Sequence, residues 1–428
     1  MCRVASRRVH AGGREAIDGV NHGVKRPTEI WPGSRLLSLP GRHTVAAAAL
    51  LLFITLIVLA PQPSFGLGSD PEPTDEVALQ ALAPDESATL TATPAPRTVN
   101  RLELVTPTPS PVPEFVTRVS REEGVNANEL GRIPILMYHA FVHNEENTDE
   151  WTITFDELRA QLDWLYENDF VAVGLNGVLD REFNVPAGKR PVILTFDDAS
   201  AGQFGLQKAP GGGYEVRPDT AVGVLEEYRQ AYPGFIETAF FAVLPYNCFA
   251  SEDDPSTCEE RLTWLIEHDY EIGNHTMGHE NLTNLSIDRF KEEIVGPIHW
   301  LNERISGRNN LCDVLVLPFG AYPADDDYVA LLFDGFWLEG EYYLPKLVIE
   351  VGGGPARAPY HVEWDTNLSR YNTEPEMFWY WADQISSGEI DVYVSDGNTQ
   401  TITIPEDWKD MVNTDLVRED GRRLVLLT

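Results

Sequence analysis

Strand-like and helix-like segments alternate along the chain from about residue 130 onward, and this alternation constrains the fold more than any other feature. Apolar runs typical of buried strands occur near residues 133–138, 170–173, 191–196, 237–244, 270–274 and 313–318. Helix patterns lie between them, at residues 155–168, 217–231, 257–268, 286–305 and 325–333. Such alternation predicts an α/β fold with a parallel sheet. Near the C-terminus, the turn sequence at residues 395–398 predicts a hairpin between residues 392–394 and 401–404.

Two adjacent carboxylates end one of these strands. Asp197 and Asp198 follow the apolar run at 191–196, and α/β folds usually place their chemistry at the carboxyl ends of strands. Neighbouring residues there point in different directions, so one carboxylate can ligate a cation while the other stays free. Downstream, His275 and His279 are four residues apart, and one helical turn would place both imidazoles on one side. One carboxylate and two imidazoles suit zinc or a similar ion and leave positions for water, which is typical of a catalytic site.

These motifs resemble those of the polysaccharide deacetylases, also called the NodB-homology domain or carbohydrate esterase family 4. Thr195-Phe196-Asp197-Asp198 is similar to the first family motif, and His275-Thr276-Met277-Gly278-His279 is similar to the second. Further agreement in order and spacing comes from residues 133–139, 155–158 and 317–320. The resemblance covers roughly residues 130 to 375. It implies an irregular (β/α) barrel of the NodB type, in a catalytic domain at residues 130–428 that ends in a short C-terminal appendage.

The resemblance also implies a role for each residue of the two motifs. Asp197 would be the general base. A divalent metal would lower the pKa of its bound water and polarise the acyl oxygen, Asp197 would take the water proton, and hydroxide would attack the amide carbonyl. Zinc is favoured, with cobalt, nickel or iron as alternatives. The metal ligands would be Asp198, His275 and His279, with Thr276 hydrogen-bonded within their loop.

The third motif and the C-terminal end depart from many members of the family. Residues 316–320 read Val-Leu-Pro-Phe-Gly, without the arginine that contacts the base in those members, and no Leu-x-His segment supplies a late histidine. Phe319 occupies the place whose backbone N–H would hold the oxyanion. These departures resemble the circularly permuted branch that deacetylates poly-N-acetylglucosamine, in which an amino-terminal Met-Tyr-His strand supplies the acid. That resemblance makes His139 the general acid. A packing role for His139, with His361 as the acid, is the alternative, and Arg370 resembles an arginine found late in related deacetylases but has no assigned role.

The amino-terminal residues carry a targeting pattern. Residues 1–43 hold eight Lys or Arg against three acids, and the 17 residues from 44 to 60 are uncharged and apolar, which is at the short limit for a membrane span. Basic residues before this run and acidic sequence after it predict a cytoplasmic leader at 1–43, a transmembrane signal-anchor at 44–61, and a single-pass cell-membrane protein with its catalytic domain outside. A cleaved signal peptide, which would release a secreted protein, is the alternative. The leader is long and Ala60-Pro61 is a poor cleavage junction, so the anchor is favoured.

Residues 62–129 are rich in proline, threonine and serine. Ten prolines lie between Pro63 and Pro113, and the segment has no apolar periodicity. Such a composition cannot bury a core and tends toward extended conformations. We therefore predict a disordered stalk that holds the catalytic domain off a membrane or through a wall layer, or an untethered leader if the preceding segment is cleaved.

The charge of the chain constrains its partners. The whole chain carries −35 and residues 1–43 carry +5, which leaves −40 for the remainder. Nucleic acid and anionic wall polymers should be repelled. An N-acetylated polysaccharide, which is neutral and becomes cationic on losing acetyl groups, would be tolerated or attracted. An acidic surface that keeps an exported protein soluble explains the charge equally well.

One pair of cysteines has the spacing of a local disulfide. Cys248 and Cys258 bracket a polar loop at residues 249–257, and such a bond would agree with export. Two free thiols are the alternative.

Two functions of different classes are consistent with these features. The first is a metal-dependent hydrolase that removes N-acetyl groups from a cell-surface or extracellular polysaccharide. The second is a catalytically impaired glycan-binding or scaffolding protein, which the missing arginine and late histidine suggest, and an O-acetyl esterase of the same family is a further alternative. The presence of Asp197 favours the enzyme, because a binding module has no use for an unligated acid beside a metal.

Overall fold

The computed structural model describes residues 115–121 and 126–428. The predicted leader, the predicted anchor at 44–61 and most of the predicted stalk lie outside these residues. No helix within the described ranges is long and apolar enough to cross a membrane.

The described residues form seventeen strands, which we number in chain order. They are β1 (Val116–Val119), β2 (Ile135–Tyr138), β3 (Ala140–Val142), β4 (Thr152–Thr154), β5 (Phe170–Ala172), β6 (Arg190–Phe196), β7 (Leu206–Lys208), β8 (Tyr214–Val216), β9 (Phe240–Val243), β10 (Glu271–Asn274), β11 (Asn310–Val316), β12 (Phe336–Leu338), β13 (Glu341–Tyr343), β14 (Leu347–Gly353), β15 (Asn367–Asn372), β16 (Thr401–Pro405) and β17 (Arg423–Leu427).

Eight α-helices lie in the same part of the chain. They are α1 (Phe155–Glu167), α2 (Leu175–Leu179), α3 (Ala221–Ala231), α4 (Cys258–Glu267), α5 (Ile287–Arg304), α6 (Asp326–Asp334), α7 (Pro375–Ser386) and α8 (Thr414–Glu419). Several begin at a side-chain cap that satisfies a free backbone N–H. Thr154 caps α1 by accepting from the Glu157 N–H, and Thr257 forms a reciprocal capping box with Glu260 at the start of α4.

Seven parallel strands close into a barrel, which confirms the predicted irregular (β/α) barrel. Their order is β2, β15, β14, β11, β10, β9 and β6, and β6 pairs back to β2. The short strand β5 adds to the first residues of β6 outside this ring. Alternate residues of β6 belong to two different hydrophobic cores. Leu194 packs with residues of α1 and α3, outside the barrel, and Ile193 packs with residues of the neighbouring barrel strands.

The six strands predicted in the barrel domain are present, but β14 and β15 have no counterpart in the prediction. β15 reads Asn-Leu-Ser-Arg-Tyr-Asn, and its Arg370 is completely buried. Because β15 carries a buried charge and no apolar run, hydrophobic patterning does not identify it. β14 does begin with an apolar run, at residues 347–349, and is a strand that the prediction missed.

The C-terminal appendage is a three-stranded parallel sheet in the order β1, β17, β16. The predicted hairpin is therefore wrong. Residues 401–405 pair with β17, and Val392 and Val394 instead bridge to Arg132 and Asn128, so the two predicted hairpin arms pair with other segments and not with each other. β1 lies within the segment predicted as a disordered stalk, and its four residues form a strand there.

Candidate active site

The predicted site residues meet at the carboxyl edge of the barrel. His139 follows β2, Asp197 and Asp198 follow β6, and His275 follows β10 directly. Phe319 lies in a 3₁₀ turn after β11, and Arg370 extends from β15. Because carboxyl ends of parallel strands meet at one edge of a barrel, residues far apart in the sequence converge there.

Asp198, His275 and His279 form a three-residue cluster. One ligand atom from each lies within 4.8 Å of the others. The Asp198 Oδ1 is 3.3 Å from the His275 Nε2 and 3.4 Å from the His279 Nε2. The Asp198 Oδ1 and the His275 Nε2 are buried without a hydrogen-bond partner. The His275 Nδ1–H donates to the Val316 carbonyl at 3.1 Å, so Nε2 keeps its lone pair. Buried oxygen and nitrogen lone pairs that face one another with no hydrogen-bond donor between them are the arrangement that a divalent cation needs.

The histidine segment is a loop and not the predicted helical turn. Thr276 and His279 both have positive φ, 67° and 54°, so the backbone of this segment is not helical. The Thr276 N–H donates to the Asn274 Oδ1 at 2.8 Å, and the His279 N–H donates to the Thr276 Oγ1 at 3.1 Å. The implied hydrogen bond of Thr276 within this loop is present, and left-handed residues achieve the convergence that the helix was predicted to give.

Asp197 is completely buried and is not part of this cluster. The Arg370 guanidinium donates from Nη1 to Oδ1 and from Nη2 to Oδ2, each at 2.8 Å. Burial raises the pKa of Asp197, but the Arg370 charge and hydrogen bonds, followed by His275 and His139, hold it well below its usual range. Asp197 is therefore ionised.

The arginine that the third motif lacks is thus supplied by β15. Arg370 also donates to the Thr195 Oγ1 at 2.9 Å and to the Glu350 carbonyl at 2.8 Å, which fixes its orientation. Arg370 and Asp197 are 173 positions apart in the sequence, and no local pattern links them. The missing motif arginine consequently gives no reason to consider the site impaired.

His139 lies beside the base. Its Nε2 is 3.8 Å from the Asp197 Oδ2, and its side chain is 15% exposed. Its ring stands edge-on to Trp151 with centroids 4.9 Å apart. Burial lowers the pKa of His139, and the neighbouring Asp197 and Asp198 charges oppose that effect. The structure therefore places His139 next to Asp197, with its side chain partly exposed.

The alternative acid, His361, is not brought to this cluster. It bridges to Val412 near the C-terminal appendage, and its Nδ1 accepts from the Glu363 N–H at 3.0 Å. Burial and the Arg357 charge lower its pKa, and none of the charges that act on it belongs to the site.

Phe319 contributes a strained backbone and an exposed ring. Its φ is 58°, its side chain is 62% exposed, and its ring centroid is 4.6 Å from that of His279. Within the described residues its backbone N–H has no hydrogen-bond partner, so this donor is available to a ligand oxygen. Two further exposed aromatic residues lie near the site: Trp151 against the His139 ring, and Tyr246, whose pKa is raised by burial and by the Asp198 charge. The sequence predicted neither, because neither lies in a family motif.

The predicted disulfide between Cys248 and Cys258 is present. The adjacent loop braces the turn that carries the second carboxylate: the Asn247 Nδ2 donates to the Asp198 carbonyl at 3.0 Å, and the Phe249 N–H donates to the Ala199 carbonyl at 2.7 Å. Asp198 and Ala199 both have positive φ, 75° and 52°, so this turn needs such support.

Comparison with known proteins agrees with the motifs. Residues 184–334 match the family model of polysaccharide deacetylases, and no curated protein matches the chain. Similar solved structures include a candidate polysaccharide deacetylase of Bacillus anthracis (18% identity, 56% of this chain and 64% of that chain, TM-score 0.40). Others are a polysaccharide deacetylase of Bacillus cereus (17% identity, 60% and 69%, TM-score 0.42) and IcaB of Ammonifex degensii (18% identity, 59% and 96%, TM-score 0.40). The chain thus spans less than two thirds of the Bacillus anthracis protein, and likenesses of this size carry no functional argument.

Proposed function

We propose, on the premise that residues 184–334 belong to the polysaccharide deacetylase family, that the chain is a hydrolase that removes N-acetyl groups from a cell-surface or extracellular polysaccharide with a divalent metal. The observation that carries the proposal is the convergence of Asp198, His275 and His279 beside an ionised Asp197 that is not part of their cluster. A binding module needs no such acid.

Asp198, His275 and His279 would hold the metal. Two imidazoles and one carboxylate favour zinc, and cobalt, nickel or iron accept the same donors. A divalent ion bound there would acidify a water and polarise the acyl oxygen.

Asp197 would act as the base. Arg370 keeps it ionised and prevents its carboxylate from rotating, so it is positioned to accept a proton from the attacking water.

Two further groups would complete the reaction. The free N–H of Phe319 would donate to the oxyanion of the tetrahedral intermediate. His139, with its Nε2 3.8 Å from the Asp197 Oδ2, would give a proton to the leaving nitrogen.

Acetate release tests this function. The purified full-length protein should release acetate from N-acetylated glycans, a chelator should stop the release, and added divalent metal should restore it. Glycan binding without acetate release would establish the scaffold alternative. Release from O-acetylated glycans alone would establish the esterase alternative.

The proposed location is the outer face of the cell membrane, through the 44–61 segment. Disulfides persist in oxidising compartments, so the Cys248–Cys258 bond supports export. Protease added to intact producing cells should cut the catalytic domain, and protection until lysis would contradict the location.

A further inference from the structure

The histidine loop is held by one helix that contributes nothing to the metal cluster. The Met277 N–H donates to the Glu293 carbonyl at 3.0 Å, and the Gly278 N–H donates to the Glu293 Oε2 at 2.8 Å. The Asn274 Nδ2, at the start of the loop, donates to the Ile294 carbonyl at 2.8 Å. All three acceptors lie in the middle of α5.

A proline explains how a helix carbonyl becomes free to hold this loop. In an α-helix, the carbonyl of residue 293 would accept from the N–H of residue 297. Residue 297 is Pro297, which has no N–H. The Glu293 carbonyl therefore lacks its partner within the helix and accepts the Met277 N–H instead.

Two other residues of the same segment adapt to the loop. A Cβ at Gly296 would lie 3.1 Å from the Met277 Sδ, so the glycine leaves room for that side chain. Glu293 is completely buried, and its Oε1 is 2.6 Å from the Arg289 Nη2. Arg289 also donates from Nε to the Glu280 Oε1 at 2.9 Å, directly after the second histidine.

We propose that residues 293–297, which we name the α5 cradle, position the metal ligands through the backbone of the histidine loop. None of these residues belongs to the metal cluster, so they are positioning residues. They hold the main chain between Thr276 and His279, where both residues need the unfavourable positive φ. The inference rests on the proposed function, because it assumes that Asp198, His275 and His279 bind a metal.

Zinc affinity of the metal-free full-length protein tests the cradle, measured by competition with a chromophoric chelator. Glu293→Ala should weaken Zn²⁺ binding about 10- to 100-fold, as loss of outer-shell support does at other metal sites. Glu293→Gln, which keeps an acceptor for Gly278, should bind between Glu293→Ala and the wild type. The matched control is Glu292→Gln: Glu292 pairs with the same Arg289 at 3.2 Å but is exposed, so the affinity should not change.

Pro297→Ala separates positioning from a merely structural role. The new N–H competes for the Glu293 carbonyl, so Zn²⁺ affinity should fall about 3- to 10-fold, the worth of one hydrogen bond. The metal-free variant should nevertheless unfold at the same or a higher temperature, because alanine favours a helix interior over proline. If Glu293→Ala fails to fold, the Zn²⁺ affinities of Pro297→Ala and Glu293→Gln decide whether the cradle positions the metal ligands.

Wild-type affinity in both Pro297→Ala and Glu293→Gln would overturn the cradle. A different result overturns the metal site itself: a wild-type protein that binds no Zn²⁺, or a His279→Ala variant that binds as tightly as the wild type. The cradle proposal would then fail as well. The Zn²⁺ titrations of the wild type and of His279→Ala distinguish this outcome from a failure of the cradle proposal alone.

Discussion

Arg370→Met should destabilise the barrel strongly, because it leaves a buried carboxylate without its partner. Both side chains of the Arg370–Asp197 pair are completely buried. Removing one partner of such a pair costs about 3–5 kcal/mol. At about 2–4 °C per kcal/mol for a domain of this size class, the melting temperature should fall by about 6–20 °C.

The loss should depend on pH in a defined direction. In the wild type the pKa of Asp197 is depressed, so the stabilisation is present above the unfolded value of about 3.9 and is lost only as the pH falls through the lower folded value. Without Arg370, burial would raise the pKa of Asp197 above its unfolded value. The variant would then be penalised increasingly as the pH rises above about 4. Its deficit should therefore be larger at pH 7.5 than at pH 4.5.

Denaturant unfolding of the single and double variants tests this reasoning. Asp197→Asn combined with Arg370→Met should lose less than the sum of the single losses, with a coupling of about 1–3 kcal/mol. Arg181→Met is the matched control: it breaks the bidentate pair with Asp420, whose side chains are 28% and 19% exposed, so its loss should be smaller and its activity unchanged. Additive losses, or a deficit in Arg370→Met below that of the control, would refute the account.

Two further predictions concern the chemistry. His275→Ala and His279→Ala should each lower metal content and abolish acetate release together, because no replacement ligand lies in the described cluster. A variant with full metal content and the full rate of acetate release would show that the mutated histidine is not a metal ligand. His139→Ala should slow amide hydrolysis about 10²- to 10⁴-fold but should slow hydrolysis of an aryl acetate far less, since its leaving group needs little protonation. Equal losses on both substrates would make His139 structural, and an amide-selective loss in His361→Ala would move the acid there.

Much of the site could be predicted because its chemistry is local in the sequence. Asp197 and Asp198 are adjacent, and the two histidines lie in one five-residue motif. Residues adjacent in the sequence lie together at a strand end whatever contacts the rest of the chain makes. The alternation of strands and helices predicted a parallel α/β fold, and the family resemblance added the barrel and the roles of the residues.

The rest depends on contacts that no local pattern encodes. Arg370 reaches Asp197 from a polar strand 173 positions away. The conformation of the histidine loop depends on Glu293 and on a proline that frees a helix carbonyl. A spacing of four residues is equally compatible with a helical turn and with this loop, and only the tertiary partners decide between them.

The central claim is that the adjacent carboxylates have different tasks, and one paired measurement tests it most directly. Metal content and acetate release should be determined together for Asp197→Asn and Asp198→Asn. Asp197→Asn should keep the metal and lose most turnover, because it removes the base alone. Asp198→Asn should lose the metal, because its Oδ1 faces both histidines. Equal metal loss in the two variants, or full turnover in Asp197→Asn, would contradict the account.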